Sequence, residues 1–139
     1  MKKVSILLLL LLTGLSSHLY AQKMKIKVTV GTKEFTATLN DSEASGELVK
    51  MLPMTLNMSE HGNIEKTVYL SKSLPGRANN PGLIQAGDIM VWSSRSLVLF
   101  YSSHRTSYSY IRLGKIDNIS GLREALGRGS VEVKYELIK

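Results

Sequence analysis

The sequence contains no cysteine among its 139 residues. This absence excludes a disulfide framework, catalysis by a thiol, and a lipid anchor attached through cysteine. The fold must therefore be stabilised by a hydrophobic core. Such a composition suits a bacterial periplasmic or secreted domain of ordinary size better than a small disulfide scaffold.

Motifs that would indicate a nucleophile, a phosphate site or a metal site are also missing. There is no Gly-x-Ser-x-Gly motif, and the glycines of residues 127–130 follow a predicted helix, where their amides are poorly placed for an anion. His61 and His104 fall in predicted loops without a second ligand at close spacing, and Glu60 beside His61 makes only a weak pair. We therefore expect no metal and no cofactor.

Long apolar runs are scarce. The unbroken run Ile6–Leu12 is shorter than the roughly 20 residues that span a bilayer. Lys2 and Lys3 precede this run and a weakly polar stretch follows it, which is typical of a secretory signal peptide cleaved after Ala21. We expect residues 1–21 to be removed, leaving no stable membrane anchor; an uncleaved anchor is the alternative.

The remainder, residues 22–139, has the length of one domain with one hydrophobic core. The net charge of +7 falls to +5 when the two lysines of the signal peptide are removed. A positive charge permits nucleic-acid binding, but the basic residues are scattered and are not interleaved with aromatic residues. Because the signal peptide predicts export, we expect a periplasmic or secreted protein with no nucleic-acid partner. The oligomeric state stays open.

Most of residues 22–139 alternates between apolar and polar residues, which predicts β-strands. The predicted strands are 24–30, 34–40, 54–58, 66–70, 89–92, 96–101, 107–113 and 130–138. The strand 96–101 is almost continuously apolar, which predicts burial on both faces. Apolar stripes at helical spacing predict one helix within residues 40–53 and a second within residues 117–127. Eight strands in this short chain favour a closed barrel or a sandwich, because closure removes exposed edges.

The order of these elements resembles the cyclophilin fold, and three segments add to the likeness. Residues 113–126 resemble the stretch in which a Phe-Gly-Lys-Val strand leads into the last helix. Residues 97–103 resemble the preceding apolar strand, and residues 81–90 resemble the Pro-Gly-Phe…Gly-Gly-Asp-Phe segment. More closely, residues 24–138 resemble small bacterial cyclophilin-like proteins. This resemblance implies a mainly β fold: an eight-stranded antiparallel cyclophilin-like barrel with two capping helices.

The most specific part of the resemblance is Thr106–Gly114, with the sequence TSYSYIRLG. On a strand, Tyr108, Tyr110 and Arg112 would point to one face. One interpretation is cross-strand packing with the arginine over a tyrosine ring. The other is one wall of a groove on the outer face of the barrel, where cyclophilins bind peptide.

Cyclophilins catalyse rotation about X-Pro bonds, whose barrier is about 18–20 kcal/mol. The resemblance implies an arginine donor three residues before the Pro-Gly pair, but this position is Ala78. Arg77 lies one step further away, and Arg112 is the other candidate donor. The pocket histidine of cyclophilins corresponds to Tyr110. The resemblance therefore implies that the scaffold is present while most of the catalytic identities are changed.

We therefore expect an exported binding module without catalytic activity, whose ligand is a peptide or a small molecule. The alternative is a weak peptidyl-prolyl isomerase that uses Arg77 or Arg112, and a third possibility is a structural partner in an envelope assembly. The predicted ligand-binding residues are Met58, Gln85, Met90, Phe100, Tyr108, Tyr110 and Arg112.

Overall fold

The computed structural model describes residues 24–139, so the predicted signal peptide lies outside the described residues. The strands are β1 (Lys25–Val30), β2 (Lys33–Leu39), β3 (Met54–His61), β4 (Glu65–Tyr69), β5 (Leu83–Ile84), β6 (Asp88–Trp92), β7 (Ser96–Phe100), β8 (His104–Arg105), β9 (Ile111–Ile116) and β10 (Val131–Leu137). The helices are α1 (Glu43–Lys50) and α2 (Leu122–Leu126). Neither helix in this part of the chain is long and apolar enough to cross a membrane.

Eight of the strands close into an antiparallel barrel. Their order around the barrel is β1, β10, β3, β4, β7, β6, β9 and β2, with β2 pairing again with β1. The prediction of an eight-stranded antiparallel barrel with two helices is confirmed. The short strands β5 and β8 pair with each other outside the barrel, and the sequence pattern did not predict them because two residues are too few to show alternation.

The barrel interior is filled by every second residue of the strands, as strand geometry requires. The helices add to this interior cluster: α1 contributes Ala44 and Leu48, and α2 contributes Leu122 and Leu126. Helix α1 begins after Ser42, whose side chain accepts a hydrogen bond from the amide of Ser45 at 3.2 Å. This satisfies one of the free amides at the helix start.

Strand β7 is buried along its whole length, as its apolar sequence predicts. Leu97 and Leu99 point into the barrel, whereas Val98 and Phe100 point outward. The outward residues belong to a second apolar cluster, which we call the outer cluster. It consists of Ile84, Met90, Val98, Phe100 and Tyr110.

The β3–β4 hairpin is tighter than the sequence pattern predicts. Residues 59–65 were expected to form a loop, but the turn covers only Gly62–Ile64. Gly62 and Asn63 adopt φ of +64° and +58°, a backbone conformation that glycine and asparagine accept more readily than other residues. As a result, His61 and Glu65 are paired residues at the ends of two strands.

The strand predicted for residues 107–113 also differs from the structure. Ser107 and Tyr108 lie in a bend, and β9 starts only at Ile111. Tyr110 instead pairs with Asn79, with both backbone hydrogen bonds at 2.9 Å. The predicted row was therefore wrong at Tyr108, which lies in the bend outside any strand, because the pairing with Asn79 starts only at Tyr110. Tyr110 belongs to the outer cluster with Met90, and Arg112 is paired with Met90.

Strands β2 and β9 approach each other closely at Gly114. A Cβ atom at this position would lie 2.1 Å from the carbonyl oxygen of Thr38 and 2.9 Å from the Cα of Leu39. Both neighbouring atoms belong to the backbone and cannot rotate away. Barrel closure at this seam therefore requires a residue without a side chain.

We predict that Gly114→Ala lowers the free energy of unfolding by roughly 2–3 kcal/mol, because the two strands must separate to accept the methyl group. Chemical denaturation measures this loss. Gly46→Ala is the matched control: a Cβ atom there meets nothing within 4 Å. Since alanine also favours the helical backbone, the control should be stabilising by up to ~1 kcal/mol. Equal stability of the two variants would contradict the close approach.

Candidate functional site

Two irregular segments cover part of the outer face of the barrel. One precedes and includes β5, and the other carries β8 and continues to Tyr110. Their pairing through Asn79 and Tyr110 places the Tyr110 ring against Phe100, edge-on, with the ring centres 5.6 Å apart. Edge-on contact is a favourable arrangement of aromatic rings. Tyr110 is therefore 7% exposed and closes one side of the outer cluster.

Beside this cover lies an open groove with a volume of about 660 Å³. It runs over the outward-facing side chains of β3, β4 and β7, with Trp92 of β6 at one end and two tyrosines at its side. Its lining residues are Asn57, Ser59, His61, Glu65, Thr67, Val68, Tyr69, Trp92, Ser96, Val98, Tyr108 and Tyr110. We call this feature the outer groove. Its volume falls within the range of small-molecule pockets.

Large aromatic side chains stand exposed around the outer groove. Tyr69 is 73% exposed, Tyr108 is 63% exposed and Trp92 is 44% exposed. Together with Tyr110, they place in the groove lining four of the nine Trp, Tyr and Phe residues of the sequence. Tyrosine and tryptophan combine apolar area with a hydrogen-bonding group, and they are enriched where proteins bind ligands and partners.

Glu65 lies at the end of the groove away from Trp92. It is 8% exposed and is paired with Phe100 on β7 and with His61 on β3. Burial raises the pKa of the Glu65 carboxyl, and the nearby His61 and His104 oppose that rise only in part. Burial also raises the pKa of the Tyr110 hydroxyl, and the charge of Glu65 adds to this effect. An acidic group thus faces the groove from a poorly hydrated position.

Glu60, only five positions earlier, has the opposite environment. It accepts hydrogen bonds from the Tyr101 hydroxyl and from Nζ of Lys66, the latter at 3.2 Å. Burial alone would raise the pKa of Glu60, but these two bonds, the charge of Lys66 and a hydrogen bond from the Asn63 amide together hold the pKa below its ordinary value. Burial, followed by the bond to Glu60, raises the pKa of Tyr101 to about 12.

Lys66 is completely buried and completes this arrangement inside the barrel. Its Nζ also donates to the carbonyl oxygens of Gly127 at 3.0 Å and Gly129 at 2.6 Å. A buried ammonium group requires such partners. The hydrogen bonds from Lys66 to Gly127 and Gly129 therefore fasten the chain after α2 to the end of the barrel. A second cavity of about 770 Å³ opens there, lined by Glu60, Asn63, Tyr101, Arg123, Gly127, Arg128 and Gly129.

The structure brings only some of the predicted site residues to the outer groove. Tyr108 and Tyr110 line it. Phe100 and Met90 are fully buried in the outer cluster, below the surface that a ligand would touch. Met58 points into the barrel, where its sulfur accepts a hydrogen bond from the Tyr135 hydroxyl at 3.1 Å.

The remaining predicted residues lie elsewhere on the surface. Gln85 is exposed and accepts a hydrogen bond from Lys115 at 3.3 Å. Arg77 and Arg112 are both exposed, and neither lines the outer groove. Arg112 is paired with Met90 on β6, so it lies on the far side of the outer cluster. The two candidate donors therefore do not meet at the groove.

Sequence reasoning missed Glu65 and His61 as groove residues because both fell within the predicted loop. A signal was available: the Gly62-Asn63 pair is typical of a tight hairpin turn, which would have extended both strands. Within residues 24–139, no group of three or more His, Cys, Asp or Glu side chains is placed to hold a metal ion.

Comparison with known proteins agrees with this architecture. The family model described as the Cyclophilin-like family matches residues 28–136. The chain belongs to this family. The solution structure of a hypothetical protein from Archaeoglobus fulgidus is similar, with a TM-score of 0.63 and 16% identity over 84% of this chain and 95% of that chain. This likeness shows a shared fold. No curated protein sequence matches the chain.

The raised pKa of Glu65 predicts how the free energy of unfolding of this cyclophilin-like barrel changes with pH. The folded chain holds the Glu65 proton more tightly than the unfolded chain, whose carboxyl pKa is about 4.3. The free energy of unfolding therefore falls as pH rises from that value through the folded pKa. We predict that Glu65→Gln is more stable than the original chain at neutral pH, by roughly 1 kcal/mol or less, because the groove leaves the carboxyl some hydration.

The gain should vanish below about pH 4, where both side chains are neutral. Thermal unfolding across this pH range measures the effect. Glu132→Gln is the matched control, since Glu132 is exposed on β10 and should show no comparable trend. A destabilised Glu65→Gln variant at neutral pH would indicate that Glu65 has a favourable partner.

Proposed function

We propose that this chain is an exported cyclophilin-like domain that binds a peptide or a small molecule in the outer groove without catalysing a reaction. The observation that carries the proposal is the aromatic lining of the groove. Three of its aromatic side chains are exposed by between 44% and 73%. Contact between their apolar surface and water is unfavourable, and a bound partner would remove it.

The length of the groove supports an extended ligand. Glu65 and Tyr69 point to the same side of β4 and are four residues apart. At about 3.3 Å per residue, they span roughly 13 Å. A peptide of about four extended residues has this length. The polar side chains of Asn57, Ser59 and Thr67 lie between the two ends and offer hydrogen bonds to such a backbone.

The placement of the arginines argues against prolyl isomerisation. The twisted X-Pro bond makes the prolyl nitrogen basic, so catalysis benefits from a cationic donor held against it. Arg77 and Arg112 are absent from the groove lining, and the sequence resemblance implies that Tyr110 corresponds to the cyclophilin histidine. Binding therefore has more support than catalysis.

Export is part of the proposal. It is supported by the N-terminal sequence, in which two lysines precede a short apolar run. We infer a periplasmic or secreted location, in which peptides and small molecules are the expected ligands and nucleic acids are not.

We predict that Tyr108→Ala weakens binding to peptides selected on an array by about tenfold, because it removes the most accessible aromatic side chain next to Tyr110. Isothermal titration calorimetry with the selected peptides measures the change. Ile138→Ala is the control, since it also removes an exposed apolar side chain, but outside the groove. If the two variants bind equally well, the groove is not the binding site.

We predict that the purified protein does not accelerate isomerisation in a protease-coupled assay with a proline peptide. The reason is that, in the part of the chain that the structure describes, no arginine or lysine lines the groove. An accelerated rate that is lost in the Arg77→Ala, Arg112→Ala double variant would contradict this expectation and would establish the enzymatic alternative.

A further inference from the structure

Glu65 is an acidic side chain in a buried position, and the described part of the chain gives it no lysine or arginine partner. It is 8% exposed, and no lysine or arginine within residues 24–139 lies at ion-pair distance from it. Glu60 provides the contrast, because Lys66 and Tyr101 both donate to it. A buried carboxylate is costly unless a cation or a donor satisfies it.

Among residues 24–139, no lysine or arginine lines the groove beside this carboxylate. His61 does line it, but the charges of His61 and His104 oppose the rise of the Glu65 pKa only in part. Glu65 is paired with His61 and Phe100 on the two neighbouring strands, and Tyr110 packs on Phe100. The ring of His104 lies 5.6 Å from that of Phe100, and its Nδ1 is already within 3.1 Å of the Ser102 carbonyl oxygen. The surroundings of Glu65 are thus mainly aromatic and open to the groove.

An aromatic site with one acidic group is complementary to a protonated amine. The carboxylate offers a charge-assisted hydrogen bond to the ammonium group. The faces of aromatic rings attract the same cation. The apolar remainder of such a ligand would extend along the groove toward Tyr69 and Trp92.

We propose that Glu65 anchors a protonated amine of the ligand, with an apolar or aromatic body lying along the outer groove. This inference rests on the proposed function and names the chemical class of its ligand. The ammonium group is either that of a peptide, at its amino terminus or on a lysine side chain, or that of a free aliphatic amine.

The chain contains a built-in reporter for this test. Trp92 is its single tryptophan and lines the groove, so its fluorescence responds to groove occupancy. The two probes are phenylbutylamine and phenylbutanol, which differ only in the charged group. We expect the amine to bind at least about tenfold more tightly than the alcohol, as a charged hydrogen bond in a poorly hydrated site predicts.

Variants separate Glu65 from the rest of the groove. In Glu65→Gln the amine and the alcohol should bind with equal affinity, whereas Glu132→Gln should keep the preference. Circular dichroism checks that both variants are folded. The comparison of amine and alcohol on the original chain needs no variant, so it decides the question even if Glu65→Gln does not fold.

Two further probes identify the source of the amine. A phenylalanine dipeptide amide with a free amino terminus is compared with an acetylated lysine–phenylalanine dipeptide amide. Tighter binding of the first assigns the peptide amino terminus, and tighter binding of the second assigns a lysine side chain. Binding of phenylbutylamine alone assigns a small amine.

Equal binding of amine and alcohol to the original chain would overturn the role of Glu65 and would leave the groove as a binding site. If no amine probe changes the fluorescence, the amine site is also overturned. The proposed function fails only if, in addition, Tyr108→Ala leaves the affinity for the peptides selected on the array unchanged.

Discussion

The burial of β7 on both faces is the constraint on which the rest of the structure depends. Leu97 and Leu99 point into the barrel, while Val98 and Phe100 are apolar residues on its outer face. An outward apolar face must be covered by protein or remain in contact with water at a cost. The irregular segments before β6 and before β9 provide this cover, and Tyr110 is its edge. The outer groove begins where the cover stops.

Glu65 and Lys66, adjacent on β4, show how strand alternation places one charged side chain outside the barrel and the next inside it. Lys66 points into the barrel and finds three oxygen partners, so its charge stabilises the end of the barrel. Glu65 points outward and finds none within residues 24–139. Both residues are buried, but of the two side chains only that of Lys66 has hydrogen-bonding partners among residues 24–139. The inward group fastens the fold, and the outward group is available to a ligand.

The barrel could be predicted from the sequence because its signals are local. Alternation along β1, β2 and β10 and the apolar run of β7 identified the strands, and the segment around Gly114 indicated the family. The cover could not be predicted in the same way. The pairing of Asn79 with Tyr110 joins residues 31 positions apart in irregular chain, and no periodicity marks it. The groove depends on that cover, so its lining was only partly anticipated: Tyr108 and Tyr110 were named, whereas Glu65 and His61 were not.

A poorly hydrated carboxyl, which has no lysine or arginine partner among residues 24–139, faces an aromatic groove. The most direct test follows the carbon-13 resonance of the Glu65 carboxyl against pH by nuclear magnetic resonance. Our account predicts a midpoint above the ordinary glutamate value of about 4.3, and a lower midpoint when phenylbutylamine is bound. A midpoint at or below the ordinary value in the free protein would show that Glu65 is hydrated or already paired, and would contradict the account.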